Sequence, residues 1–198
     1  HGTEIAEKTV VDLETAMQKW LESTATKDTI KVIQGGPGSG KSSFAKWWAA
    51  KLAKNRTHRI LFFPLHHFNI YTNIKTAIGD FLKDFEDIPL TFNPLEDTKQ
   101  EKLLLIFDGL DELSMQGKSA KEAANAFMQE LKNFCHVKNA SQQRIKILIT
   151  GRPIAVQNTE AKLRDDEQQI LYLLPYFVAE NKRDEYKDTQ KLLEKDQR

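Results

Sequence analysis

Residues 29–42 read Thr29-Ile30-Lys31-Val32-Ile33-Gln34-Gly35-Gly36-Pro37-Gly38-Ser39-Gly40-Lys41-Ser42. The first six form a β-branched run closed by glycines, which predicts a strand. The next eight satisfy G-x-x-x-x-G-K-[ST], and Ser42 to Lys54 then predicts a helix burying Phe44, one or both of Trp47 and Trp48, and Leu52. A glycine-rich turn between a strand and a helix has a specific chemical use. Without Cβ atoms the chain can turn successive backbone N–H groups inward round a phosphate, while the helix N-terminus adds partial positive charge. Gly35, Gly36, Pro37, Gly38, Ser39, Gly40, Lys41, Ser42 and Ser43 are therefore the candidate nucleotide-binding residues. Lys41 is suited to bridge the β- and γ-phosphates and Ser42 to ligate Mg2+. By average residue frequencies such a motif arises by chance on the order of once per hundred chains of this size, and the strand–loop–helix context makes chance rarer still.

Downstream, strand and helix signals alternate. Arg59 to Leu65, Lys102 to Phe107, Arg144 to Thr150 and Gln169 to Leu174 predict four more strands. Ile74 to Phe85 and Ser119 to Phe134 predict helices between them, and Pro89 and Pro94 mark a loop. Apolar strands without alternation suit a parallel sheet covered on both faces. The expected fold is α/β, a three-layer α/β/α sandwich of the P-loop NTPase kind with a mainly parallel five-stranded sheet in the order 5-1-4-3-2, Ile145 to Ile149 inserting between the first and third strands. Before this core, Thr9 to Leu21 predicts an amphipathic helix with Val10, Leu13, Met17, Trp20 and Leu21 apolar. The expected divisions are 1–28, a leading helix and linker; 29–178, the nucleotide domain; and 179–198, a charged stretch that starts a truncated helical subdomain.

The third strand ends in Asp108, the carboxylate position that a metal shell opposite the phosphate loop requires, so Ser42 and Asp108 are the candidate metal residues. Asp111 and Glu112 follow closely, and either could orient or deprotonate an attacking water. The fourth strand runs into Thr150-Gly151-Arg152-Pro153. Ligands of open α/β sheets bind at such strand ends, where Arg152 could stabilise a γ-phosphate. Asp111, Glu112 and Arg152 are the candidate catalytic residues.

Bulk properties narrow the partners. The chain has 198 residues, is 40% hydrophobic and 29% charged, and carries a formal net charge of +1. That leaves no overall field to attract nucleic acid or membrane. No run reaches the ~18 to 20 apolar residues needed to span a bilayer. The single cysteine, Cys135, excludes an internal disulfide framework and suits the cytoplasm. The start at His1-Gly2, without methionine, reads as a piece of a longer protein.

Three motifs together resemble the NACHT class of signal-transduction NTPases. They are the phosphate loop Gly35 to Ser42, LLLIFDGLDEL from Leu103 to Leu113, and ILITGRP from Ile147 to Pro153. The middle one is the most specific, with a small residue after Asp108 and the acidic pair displaced to Asp111 and Glu112. Secondary similarities are Phe62-Phe63-Pro64-Leu65 and the segment Tyr172 to Phe177; Gly151 departs from the small polar residue common before the arginine. The resemblance covers roughly Thr29 to Phe177. It implies an ATP-binding, slowly hydrolysing molecular switch that alternates ATP and ADP with Mg2+ and couples nucleotide state to signalling or oligomerisation, in roles such as antiviral or innate immune defence. Flanking sensor and effector domains of the same polypeptide and homo-oligomers are the partners so implied. Two alternatives stay open: a nucleotide-binding oligomerisation module without significant hydrolysis, and another P-loop ATPase or kinase on the same scaffold.

Other signals weigh less. Asn181-Lys182-Arg183-Asp184 fits N-K-x-D, which would imply GTP, but Asp111 stands where the accompanying D-x-x-G element needs glycine. His66 and His67, adjacent on a predicted strand, should point apart and make a poor zinc site. Helical spacing with Phe44 favours core packing over base stacking for Trp47 and Trp48. Cys135 lacks activating neighbours in sequence and reads as structural.

Overall fold

Side chains alternate between the two faces of a strand, and this sheet uses both. The computed structural model describes residues 11–25, 28–69, 72–84, 102–114, 118–140, 144–153, 156 and 170–174. Five strands run parallel: β1 (Ile30–Gln34), β2 (Arg59–Pro64), β3 (Leu103–Asp108), β4 (Ile145–Gly151) and β5 (Ile170–Tyr172). Their order is β2-β3-β4-β1-β5, the expected 5-1-4-3-2 taken from the other edge. Central strands β1, β3 and β4 are buried along their whole length, whereas edge strands β2 and β5 are mostly half-buried. The helices are α1 (Leu13–Glu22), α2 (Lys41–Asn55), α3 (Ile74–Lys83), α4 (Leu110–Ser114) and α5 (Lys118–Lys138).

On one face Ile30, Val32, Leu103, Leu105, Phe107, Ile145, Ile147 and Ile149 form a single core with apolar residues of α3 and α5. The alternate residues Ile33, Leu104, Ile106 and Leu148 are also buried, on the opposite face, where α2 packs across β2, β3 and β4. Within α2 Ala45, Trp48 and Leu52 are buried while Trp47 is exposed, so only one of the two tryptophans joins the core. Phe63, Phe68, Phe81, Phe107 and Phe127 interlock with ring centroids 5.1–6.1 Å apart, each pair contributing about 0.5–1.5 kcal/mol beyond area burial. This aromatic block stiffens the C-terminal ends of β2 and β3.

Local hydrogen bonds fix the connections. Asn73 caps α3 by accepting from the Thr76 N–H at 3.0 Å, and Glu130 of α5 accepts from the Ile74 N–H at 2.8 Å. Buried Asn139 donates to the Ile145 carbonyl and accepts from the Arg144 and Ile145 N–H groups, which sets the start of β4. Burial pushes the Cys135 thiol up to about 12, in keeping with a structural, unreactive cysteine.

Some boundaries differ from expectation. Pro64 ends β2, and Leu65–His67 forms a 3₁₀ turn instead of continuing the strand. Helix α5 runs one further turn to Lys138, and β5 keeps only three residues. Helix α1 lies outside the unit Thr24–Leu174 that contains the sheet; its N-cap Asp12 accepts from the Thr15 N–H, and Met17, Trp20 and Leu21 are buried. Expectations for residues 1–10, the loop at Pro89 and Pro94, Phe85, the segment from Pro175, Asn181 to Asp184 and the charged tail lie outside the described residues. No described helix is long and apolar enough to cross a membrane.

At the N-terminal end of β4, burial pushes the Lys146 ammonium down from 10.5 to about 8, with Lys31 and Lys102 adding to the effect and Asp28 opposing it. Between those two pH values the unfolded chain binds more protons than the folded one. Stability therefore rises with pH across that window, and below pH 8 the protonated, buried lysine is a standing cost. Lys146→Met should flatten that rise and stabilise the fold at neutral pH by about 1 kcal/mol, which denaturant unfolding near neutrality and at about pH 10 would measure.

Candidate functional site

The loop after β1 takes its shape from glycine. Gly38 and Gly40 have φ of 68° and 90°, in the region that side chains with a Cβ avoid. Gly35 is needed for space, since a Cβ there would lie 2.7 Å from Ser39 Oγ and 3.2 Å from Leu173. Gly40 begins α2 without a side-chain cap, so the first N–H groups of that helix are not claimed by a cap and can serve an anion. Lys41 Nζ donates to the carbonyls of Gly35 at 2.8 Å and Gly36 at 2.9 Å, and lies 3.4 Å from Ser39 Oγ. Its ammonium is folded back over the loop it would share with a phosphate.

Strand alternation brings the acidic side to the same place. Asp108 and Thr150 share parity with Leu104, Ile106 and Leu148, and so face α2, whose second residue is Ser42. Ser42 Oγ donates to Asp108 Oδ1 at 2.9 Å, Thr150 Oγ1 donates to the same oxygen at 2.5 Å, and the Gly109 N–H donates to Thr150 Oγ1 at 3.1 Å. Asp108 and Thr150 are buried. Gly109 turns the chain with φ of 93°. A Cβ there would meet the mobile end of the Glu112 side chain, Cδ at 3.0 Å, so the positive φ, more than lack of space, favours glycine after Asp108.

Asp111 and Glu112 sit in the first turn of α4 and separate in their partners. Asp111, whose side chain is 15% exposed, accepts from the Arg152 N–H at 3.1 Å and pairs with Arg152 Nε at 2.7 Å. Glu112, 45% exposed, pairs instead with His66 Nδ1 at 2.9 Å. Burial pushes the Lys41 ammonium below its ordinary value; Arg152 adds to that, while Asp111 and Asp108 oppose it. Lys41, Asp108, Asp111 and Arg152 therefore share one electrostatic neighbourhood.

All of the sequence-derived site residues thus lie at the C-terminal ends of β1, β3 and β4 or on the segments leaving them. Gly36, Pro37, Gly38, Ser42 and Ser43 are exposed, as an entry for ligand requires. Two further residues were not among the candidate site residues. Thr150 was quoted only as a neighbour of Arg152, although a hydroxyl ending a strand beside an acidic one is a usable signal. His66 was expected on a strand pointing away from His67; in the 3₁₀ turn their ring centroids lie 3.9 Å apart, and His66 meets Glu112.

Among the described residues no group of three or more His, Cys, Asp or Glu could hold a metal by itself. Ser42 and Asp108 offer two hard oxygens 2.9 Å apart. That fits magnesium, which keeps several waters and takes its remaining ligands from substrate phosphates.

The sequence profile of the NACHT domain family matches residues 29–187. No curated protein matches the sequence. Among solved structures the chain is similar to the ORC2 protein of Aeropyrum pernix in its ADP form, with a TM-score of 0.51 and 17% identity, covering 91% of this chain and 50% of that one. Cdc6p from Pyrobaculum aerophilum matches with a TM-score of 0.45 and 16% identity, covering 91% of this chain and 46% of the other. The chain thus spans about half the length of these two proteins, and at such identities the likeness to the first extends to the fold alone.

Replacing Thr150 by valine keeps its shape and removes the hydroxyl that joins Asp108 to the Gly109 N–H. Thr150→Val should cost about 1–3 kcal/mol of stability because buried polar groups lose a partner, and Thr150→Ser should cost clearly less. Urea unfolding of both variants measures the difference.

Proposed function

Because this chain belongs to the NACHT family of P-loop NTPases, we propose that it is an ATP-binding, slowly hydrolysing molecular switch that couples its nucleotide state to signalling or oligomerisation. The observation that carries the reading is the meeting of Ser42, Asp108 and Thr150 beside the Lys41 loop. The loop N–H groups and Lys41 bind the phosphates. Ser42 and Asp108 hold Mg2+, which when bound supplies charge neutralisation for the phosphates.

Asp111 and Glu112 divide the remaining work. Both Asp111 oxygens are engaged by Arg152, which supports Asp111 as the residue that aims Arg152 at the γ-phosphate. Glu112 is the more exposed acid and accepts the proton of the attacking water. The water oxygen then bonds to the γ-phosphorus as the bond to the bridging oxygen breaks, leaving ADP and inorganic phosphate. Slow turnover belongs to this reading, since a switch must hold its triphosphate long enough for flanking domains to respond. Immune defence and cytoplasmic residence are part of the same proposal, and the expected divisions 29–178 and 179–198 are its domain plan.

Lys41→Ala should lose measurable binding of a fluorescent ATP analogue. Glu112→Gln should bind within about twofold of wild type while single-turnover hydrolysis falls by about two orders of magnitude or more. Undiminished affinity in the first variant would remove the phosphate-site assignment, and undiminished turnover in the second would remove the role of Glu112.

A further inference from the structure

Next to the site stands a contact that the reading above does not use. His66 Nδ1 lies 2.9 Å from Glu112 Oε2. An ionised carboxylate only accepts, so the hydrogen sits on Nδ1 and His66 donates whether its ring is neutral or charged. The two side chains are 51% and 45% exposed, and a pair so open to water contributes little to stability. Its scaffold, by contrast, is packed. Buried Leu65 and Phe68 anchor the turn on either side of His66 and His67, buried Leu110 anchors the start of α4, and that turn and α4 pack together. Phe68 joins the aromatic block, meeting Phe63 and Phe107 edge to face.

Glu112 also lies beside Gly109. Its Cδ and Oε1 stand 3.0 and 3.2 Å from where a Cβ at that position would be, so the carboxylate uses space that only glycine, one residue past Asp108, leaves open. The His66 contact takes up one lone pair of Oε2, and Oε1 keeps both of its own. A glutamate has three side-chain torsions, and fixing them in advance is what a well-oriented base requires.

We propose that His66 is a positioning residue for hydrolysis: its Nδ1–H fixes the Glu112 carboxylate so that the opposite oxygen can take the proton of water. This rests on Glu112 being the water-activating acid. No covalent step involves His66; the proton passes from water to Glu112 alone.

The test compares single-turnover ATP hydrolysis and ATP affinity, with Mg2+, in wild type, His66→Ala, His66→Asn, Glu112→Gln and the double variant His66→Ala with Glu112→Gln. His66→Ala should slow turnover about tenfold or more and leave affinity within about twofold. His66→Asn, whose side-chain N–H can stand near the position of Nδ1–H, should recover most of the rate. In the Glu112→Gln background His66→Ala should cause no further loss. An unchanged or faster rate in His66→Ala, a loss that His66→Asn does not recover, or full additivity in the double variant would overturn the proposal. Those results with Glu112→Gln inactive overturn only the role of His66, whereas a fully active Glu112→Gln overturns the reading on which it rests.

Discussion

Two hydroxyls share one carboxylate oxygen: Ser42, from the first turn of α2, and Thr150, from the end of β4, both donate to Asp108 Oδ1 at the end of β3. This knot joins three segments far apart in sequence. It requires the strand order that sets β4 between β1 and β3, because only then do the ends of β3 and β4 and the loop after β1 meet. It also requires register. The partner of β4 Ile149 is β3 Phe107, so Asp108 and Thr150 end side by side on one face, and a slip by one residue would send either of them to the opposite layer.

From the knot outward, the site is built in tiers of charge. The glycine loop carries the Lys41 ammonium, and the buried Asp108 opposes it. Asp111 and Arg152 follow as a close ion pair, and Glu112 and His66 stand at the more exposed rim. Neighbouring residues on a helix are turned about 100° apart, so Asp111 and Glu112, although adjacent, meet different partners, Arg152 and His66. The aromatic block under β2 and β3 holds this rim, coupling core packing to the place where the acids stand.

Much of this was legible because it is local. The strand, loop and helix from Thr29 onward carry their own signals within a short window, and the apolar runs Leu103 to Phe107 and Ile147 to Ile149 announced a sheet buried on both faces. Thr150 was less legible because its partner lies 42 residues away and a threonine ending a β-branched strand looks like any other. His66 was misread through a boundary: taking the strand to Leu65 ran it past Pro64, and the turn that follows the proline changes where both histidines point. Which acid meets which partner depends on the orientation of a short helix, and nothing in the order Asp111-Glu112 specifies that.

The central claim is that a loop for phosphate and a carboxylate for its metal form one site. Equilibrium binding of ATP, with and without Mg2+, to the intact chain and to Asp108→Asn tests this directly. The account predicts that wild type binds ATP saturably and more tightly when Mg2+ is added, and that Asp108→Asn still binds but loses the gain from the metal. Absence of saturable binding by wild type, or an equal gain from Mg2+ in both proteins, would contradict it.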